Sequence, residues 1–193
     1  MESRTASLKP HTDFLWARAD YEDLVEKGIF TPADKVELLN GKILTMSPPN
    51  VTHATSLRLV LKYLQSVFQD SKAIVNIQLP LALDDLSEPE PDIAVVHGEI
   101  RDFTDHHPTA ADALIVVEIS GTSLDFDRGD KLKAYARAGI PEYWIVNLVG
   151  GVLEVHRSPS GQLYESVRTL GSEASVAPLG REKAATKVAE LLP

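Results

Sequence analysis

The sequence predicts an α/β fold in which a mixed, curved β-sheet is flanked by helices, with an N-terminal helix and a β-hairpin ahead of it. Three observations lead to this prediction. Apolar residues recur at helical spacing in three segments, several short segments between turn residues are rich in branched apolar residues, and one helical segment separates two of these predicted strands. A helix that crosses between two strands packs on the face of their sheet, which gives an α/β layer structure.

The first third of the chain contains two predicted helices and a hairpin. Residues 14–27 carry apolar side chains in a helical rhythm that Gly28 can end. Two apolar stretches then flank Asn40-Gly41, the dipeptide best suited to a tight turn with positive φ at both central residues. Residues 52–68 repeat apolar side chains every three or four positions, which predicts a second amphipathic helix.

The rest of the chain consists of predicted strands and one further helix. The predicted strands span residues 73–83, 92–96, 113–119, 142–147 and 152–157, with another near 162–168. Residues 124–138 have helical spacing, and Gly139 and Pro141 can end that helix. This helix lies between two predicted strands and therefore crosses from one to the other.

Length and composition favour one soluble domain. The apolar segments continue without a Gly/Ser-rich or Pro-rich linker, which predicts a single domain over residues 1–193 with residues 1–13 as a flexible N-terminal extension. No apolar segment approaches the roughly 20 residues needed to span a bilayer, so we expect a cytoplasmic protein that does not bind membranes. Because the chain has no cysteine, any metal would bind oxygen or imidazole ligands.

The charge balance restricts the kinds of partner that the chain can bind. It has 19 Lys and Arg residues against 28 Asp and Glu, a net charge of -9. This argues against binding nucleic acid through a broad basic surface. It is compatible with an enzyme that meets phosphate through a metal ion, because acids short of counter-charge attract Mg²⁺ or Mn²⁺. The alternative is that the acidity only keeps the protein soluble.

Two carboxylates occupy unusual places in the predicted sheet. Asp92 opens an apolar strand directly after Pro91, whose fixed φ stiffens the start of that strand. Glu118 follows an apolar run typical of a strand covered on both faces, where an unpaired carboxylate would cost on the order of several kcal/mol. Two acids on neighbouring strands can converge on one divalent cation. The alternative for Glu118 is a strand end that reaches solvent, and Glu88 and Glu90 are predicted to edge the site.

The predicted helix 124–138 carries a lysine toward these acids. Asp127, Lys131 and Tyr135 are spaced four residues apart, so they share one helix face, and apolar neighbours on that face predict that it packs inward. There Lys131 could neutralise charge, stabilise a transition state or orient water, with Asp127 positioning it. The alternative is an ordinary surface Asp-Lys pair worth about 0.3–0.5 kcal/mol.

An Asp at the start of one strand, a Glu in the next and a nearby Lys resemble the PD-(D/E)xK signature of restriction-endonuclease-like nucleases. The matching pieces are Pro91-Asp92 and Glu118-Ile119-Ser120. The match departs at Ser120, which occupies the usual position of the superfamily's lysine. In some branches that lysine comes from the following helix, and Lys131 would then be its equivalent here. The stretch "KLKAY" (131–135) also resembles the Q-x-x-x-Y helix motif of related nucleases.

At the level of the whole chain, the sequence resembles the Uma family of endonucleases, which is numerous in cyanobacteria. The resemblance covers roughly residues 18–192, through blocks such as "VELLNGKILTMSPPNVTHA", "SEPEPDIAVV" and "LIVVEISGTSLDFDRGDKLKAYARAGIPEYWIVN". It implies a PD-(D/E)xK fold, phosphodiester hydrolysis that depends on Mg²⁺ or Mn²⁺, and a homodimer.

Several further residues are predicted to belong to the site. Glu37 could place a third carboxylate at the metal, and its alternative is a hairpin residue that pairs with Lys35 or Lys42. His53 could contact phosphate or shuttle a proton, and its alternative is a helix-start residue bonded to backbone. The predicted substrate-contacting residues are His53, Gln78, Ser120 and Tyr135.

The leading hypothesis is a divalent-metal-dependent endonuclease acting on nucleic acid, with DNA as the substrate. Asp92 and Glu118 would bind the metal, and Lys131 would activate water or stabilise charge. One rival is a non-catalytic module on the same fold that binds DNA or a protein partner, which the serine at position 120 and the acidic surface keep open. The other is a metal-dependent hydrolase of a small phosphodiester, which suits an acidic protein without a long basic groove.

Overall fold

The computed structural model describes residues 14–31 and 33–193, so the predicted flexible extension at residues 1–13 lies outside the described residues. Helix α1 spans Arg18–Glu26. The prediction of a helix from residue 14 is wrong at its start, because the backbone N–H of Trp16 donates to the carbonyl of Gly41 at 2.8 Å. The residues before α1 therefore run along the hairpin turn instead of entering the helix.

The predicted hairpin is confirmed. Strands β1 (Val36–Leu39) and β2 (Lys42–Thr45) pair antiparallel around Asn40 and Gly41, which have φ of 52° and 74°. These positive values are those of the tight hairpin turn that the Asn-Gly dipeptide favours. A side chain at position 41 would also place its Cβ 2.7 Å from the Cβ of Leu15, so only glycine allows the preceding segment to approach this closely.

The second predicted helix is also confirmed. Helix α2 spans Val51–Phe68, and the side chain of Asn50 caps it by accepting a hydrogen bond from the backbone N–H of His53 at 2.9 Å. Its buried side chains recur at helical spacing along one face, which packs on the central sheet: Ser56, Val60, Leu64 and Phe68. The cap at Asn50 fixes where the helix begins and so places the His53 side chain on its first turn.

A six-stranded mixed, curved sheet follows α2. Its strands, side by side in chain order, are β3 (Ala73–Ile77), β4 (Ile93–His97), β5 (Ala113–Ser120), β6 (Glu142–Asn147), β7 (Val152–Ser160) and β8 (Leu163–Leu170). Strands β5 and β6 run parallel, and the other neighbouring pairs are antiparallel. The predicted strand 73–83 is wrong beyond Ile77, because Gln78 turns the backbone with a φ of 47° and Pro80 has no N–H for a ladder.

The helical segment predicted at 124–138 connects β5 to β6. It consists of α3 (Leu124–Phe126), a turn of π-helix (Asp127–Lys131) and α4 (Leu132–Arg137). The π-helical turn was not predicted, and such turns are frequent at functional sites. The predicted inward face is confirmed, because Asp127, Lys131 and Tyr135 are all buried.

The sheet carries an apolar core on each face. The side chains of Val117 and Ile119 pack with α2, whereas those of Val116 and Tyr143 pack with α4. Since successive strand residues alternate between faces, the Glu118 side chain points to the α4 side. The remaining elements are short: strands β9 (Ser175–Val176) and β10 (Thr186–Lys187), and single 3₁₀ turns at Ile100–Phe103, Ala110–Asp112, Glu182–Ala184 and Val188–Glu190. Within residues 14–31 and 33–193, no helix is long and apolar enough to cross a membrane.

Candidate active site

A cleft of about 830 Å³ opens where the hairpin, the start of α2 and the π-helical turn meet the ends of β4 and β5. Its polar side is acidic. The carboxyl groups that line it belong to Glu37, Glu90, Asp92, Glu118 and Asp127. The fold therefore brings together acids from four separate segments of the sequence.

Asp92 lies immediately before β4, with both carboxylate oxygens engaged. Oδ1 accepts a hydrogen bond from Nε2 of Gln78 at 3.1 Å, and Oδ2 accepts from Nε2 of His53 at 3.0 Å and from the backbone N–H of Ile119 at 2.8 Å. Burial alone would raise the pKa of Asp92, but these donors, His53 first, outweigh it and hold the pKa below its ordinary value. The Asp92 side chain is thus an ionised carboxylate in a fixed orientation.

Glu118 is buried, so the alternative in which it reaches solvent at a strand end is wrong. Its Oε1 accepts hydrogen bonds from Nζ of Lys131 at 2.9 Å and from the hydroxyl of Tyr135 at 2.7 Å. Burial raises the pKa of Glu118 to about 8, although the neighbouring Lys131 ammonium lowers it. Any additional positive charge near Glu118 would therefore strongly stabilise the ionised form of its carboxyl group.

Lys131 makes two ion pairs inside the cleft, so the surface-pair alternative is wrong for this residue. Its Nζ lies 2.9 Å from Oε1 of Glu118 and 3.2 Å from Oε2 of Glu37, and the side chain is only 7% exposed. Burial would lower the pKa of Lys131, but the carboxylates of Glu118, Glu37 and Asp127 outweigh it and raise the pKa above its ordinary value. The ammonium is therefore a permanent cation held between two acids from β1 and β5.

Asp127 contacts two serine hydroxyls. Its Oδ2 accepts hydrogen bonds from Oγ of Ser120 at 2.7 Å and from Oγ of Ser123 at 2.6 Å. The predicted positioning of Lys131 by Asp127 is thus electrostatic, because the ion pairs of Lys131 run to Glu37 and Glu118. Ser120, at the usual lysine position of the signature, holds the Asp127 carboxylate. Ser123 was missed, and its place four residues before Asp127 is the signal that could have found it.

Replacing Ser120 by alanine is expected to lower the free energy of unfolding by about 1–2 kcal/mol, because a buried acceptor loses one of its two hydroxyl donors. Urea unfolding measures the change. The matched control is Ser123→Ala, whose hydroxyl belongs to an exposed residue and whose loss water can replace, so a smaller effect is expected. Equal stability of Ser120→Ala and wild type would contradict the role given to this hydroxyl.

Glu90 and Glu88 have different places. Glu90 lines the cleft, and its backbone N–H donates to Oε2 of Glu37 at 3.1 Å. The prediction that Glu88 also edges the site is wrong: it is buried under α1, where Nη1 of Arg18 lies 3.9 Å from its Oε2. A strand-like bridge between Leu38 and Glu88 turns this side chain away from the cleft. Burial, and then the neighbouring Glu22 carboxylate, raise the pKa of Glu88 to about 8.

Because the folded-state pKa of Glu88 is raised, its contribution to stability is complete below about pH 4.5 and is lost as the pH rises through about 8. The variant Glu88→Gln should therefore be more stable than wild type at pH 9, by on the order of 2 kcal/mol, and differ little from it at pH 4.5. Thermal unfolding at both pH values measures this. Glu99→Gln, at an exposed position, is the control, and a pH-independent effect of Glu88→Gln would contradict the assignment.

The cleft offers carboxylate oxygens, the donor type that Mg²⁺ and Mn²⁺ prefer. Glu37, Asp92 and Glu118 supply hard carboxylate oxygens, and four buried carboxyl groups, these three and Asp127, face one buried ammonium. In the present conformation no three or more His, Asp or Glu residues within 14–31 and 33–193 converge as metal ligands. The Lys131 ammonium stands between two of the acids instead. The residues of the cleft therefore fit a hard divalent cation in two respects: they supply oxygen donors, and their buried carboxyl groups outnumber the single buried ammonium.

The mixed sheet and the crossing helix give the chain the fold of the restriction-endonuclease-like class, with acids at the ends of two neighbouring strands. The chain belongs to the Uma2 family, described as "Putative restriction endonuclease", whose profile matches residues 18–184. This confirms the family expected from the sequence.

The comparison with solved structures agrees on the fold. The chain is similar to a structure described as "a putative nuclease belonging to DUF820 from Anabaena variabilis", with a TM-score of 0.70 and 16% sequence identity over 87% of this chain and 96% of the other. No curated protein matches the chain at the significance required of a relative.

Proposed function

We propose that the protein is a divalent-metal-dependent endonuclease that hydrolyses phosphodiester bonds, with DNA as the substrate. The observation that supports this best is the burial of Asp92, Glu118 and Lys131 side by side in one open cleft. Buried carboxylates beside a buried lysine are costly to maintain for stability alone. The family match supports a nucleic-acid substrate. The proposal also includes a cytoplasmic location and a homodimeric state. Light scattering, which measures molar mass, can test the dimer.

Asp92 and Glu118 would hold the cation, with Glu37 as a third carboxylate. A bound Mg²⁺ or Mn²⁺ supplies charge stabilisation for a phosphoryl oxygen and lowers the pKa of a bound water. Neighbouring residues orient these ligands: His53 and Gln78, in the cleft, fix the two oxygens of Asp92, and Tyr135, buried behind it, holds Glu118.

Besides any bound cation, the protein itself contributes a positive charge to the reaction, the Lys131 ammonium. Its ammonium lies among the acids with three donors, and once freed from Glu37 or Glu118 it can face a phosphoryl oxygen as negative charge develops there. His53 fits a positioning role better than a proton shuttle, because its Nδ1 is buried without a hydrogen-bond partner among the described residues while Nε2 is held by Asp92.

The test is calorimetric titration of Mn²⁺ and Mg²⁺ into the wild type and Asp92→Asn, followed by cleavage assays on supercoiled plasmid and on single-stranded DNA, with and without a chelator. We expect metal binding that weakens at least roughly tenfold in the variant, since one carboxylate ligand is lost, and cleavage of at least one of the two DNA substrates that the chelator abolishes. Metal binding without cleavage of any nucleic acid would favour the hydrolase of a small phosphodiester. Absence of metal binding would favour the non-catalytic module.

A further inference from the structure

Part of the lining of the cleft is apolar and partly aromatic. Phe30, in the segment after α1, and Phe126, at the end of α3, both line the cleft and are half-buried. Other apolar side chains in the lining are Tyr21, Val25, Val36, Met46, Pro48 and Pro49. An open cleft lined by both carboxylates and aromatic side chains can accommodate a ligand that has a charged part and a flat, apolar part.

Phe30 is held in place from behind. Its ring lies 6.2 Å from the ring of Tyr21, and the Tyr21 hydroxyl donates to the carbonyl of Val36 at 3.0 Å. Phe126 lies near Lys131, whose Nζ is 6.0 Å from the ring centroid. The Phe30 ring is therefore supported by the fold and also reaches the cleft surface, which is the arrangement of aromatic residues that stack on bases.

The charge of the cleft does not suit a DNA duplex. Among its described lining residues, Lys35 and Lys131 are the lysines and arginines, against five carboxylates. A duplex carries one phosphate per about 1.7 Å of its axis and is gripped by proteins through several lysines or arginines. The volume of about 830 Å³ lies instead within the range of roughly 300–1,000 Å³ that small ligands occupy.

We propose that this site takes an unpaired nucleotide rather than a stretch of duplex, with the base against the Phe30 ring and the phosphodiester toward the acids. The proposal rests on the proposed nuclease function and specifies its substrate class. An unpaired nucleotide can come from a single strand or from a free dinucleotide. Stacking recognises the base without reading its sequence, because every base has a π-face.

Fluorescence anisotropy tests the proposal in the presence of Ca²⁺, with the probes checked on a gel for integrity. The probes are a short fluorescein-labelled single strand, the same strand annealed to its complement, and a labelled dinucleotide. We expect the single strand to bind at least roughly tenfold more tightly than the duplex. Phe30→Ala should weaken single-strand binding roughly 5- to 150-fold, the effect of losing one stacked base.

Two further variants keep this test interpretable. Phe30→Leu retains apolar volume against Tyr21 and removes the aromatic face, so it should fold like wild type and still lose most of the single-strand affinity. Phe103→Ala is the matched control, because Phe103 is also half-buried but packs near Gly98 and His106, away from the cleft. Thermal unfolding of each variant verifies the fold.

The outcomes are distinguishable. Duplex binding as tight as single-strand binding, absence of binding to every probe, or equal single-strand affinity in Phe30→Leu and wild type would each overturn the proposal. A dinucleotide that binds as tightly as the single strand would support the proposal and would identify small diesters as the source of the unpaired nucleotide. Cleavage of the same single strand by the wild type with Mn²⁺ is measured separately. Its absence alongside selective single-strand binding would refute the nuclease function and leave the ligand class standing.

Discussion

Replacing Lys131 by methionine is expected to reduce phosphodiester hydrolysis by roughly 10²- to 10³-fold, the usual effect of losing one preorganised group that stabilises transition-state charge. The same substitution should tighten Mn²⁺ binding at least about tenfold. In the present conformation the ammonium lies 2.9 Å from Glu118 and 3.2 Å from Glu37. A cation that binds these carboxylates has to displace it, and the variant removes this competition.

The metal-free Lys131→Met variant should also be less stable than wild type, by about 3–5 kcal/mol, because it leaves buried acids without their partner. Saturating Mn²⁺ should restore much of this loss, since it binds the folded state preferentially. Calorimetry measures the affinity, and scanning calorimetry with and without Mn²⁺ measures the stability. Lys133→Met, at an exposed position two residues further along α4, is the control. Weaker Mn²⁺ binding in Lys131→Met would show that the lysine supports the metal site.

Replacing Glu118 by glutamine is expected to abolish both measurable Mn²⁺ binding and hydrolysis while leaving the metal-free fold nearly as stable as wild type. Burial raises the pKa of Glu118 to about 8, so its neutral form is well tolerated, and glutamine resembles that form. The amide oxygen can still accept from Lys131 and Tyr135. Retention of tight Mn²⁺ binding in this variant would remove Glu118 from the proposed metal ligands.

The chain offers a matched control for this substitution in Glu142, another fully buried carboxylate on the neighbouring strand. Its carboxylate binds the Arg157 guanidinium, the Trp144 indole and the backbone N–H of Leu179, away from the cleft. Glu142→Gln should therefore lower the free energy of unfolding by about 3–5 kcal/mol and leave Mn²⁺ affinity unchanged. Glu118→Gln is thus expected to lose function and keep stability, whereas Glu142→Gln is expected to lose stability and keep Mn²⁺ binding. Identical behaviour of the two variants would contradict this distinction.

Local features of the sequence were sufficient for most of the elements and for the main acids of the site. The Asn40-Gly41 turn, the helical spacing of α2 and the branched apolar runs of β4, β5 and β6 each act over a few residues. The placement of Asp92 before one strand and Glu118 near the end of the next is likewise a local pattern. Their proximity follows because β4 and β5 pair, with Ile93 opposite Val117.

Contacts between distant parts of the chain determined the features of the site that local sequence patterns did not predict. The position of Glu88 under α1 depends on a bridge to Leu38 fifty residues earlier in the chain, and the pairing of Glu37 with Lys131 joins the hairpin to the crossing helix. Periodicity carries no information about such partners, because many charged pairs are compatible with one pattern of apolar residues. Burial in the tertiary structure selects among them, since an unpaired buried charge is too costly to persist. The presence of both Phe30 and Phe126 in the lining of the cleft arises in the same way, from segments that meet only in the fold.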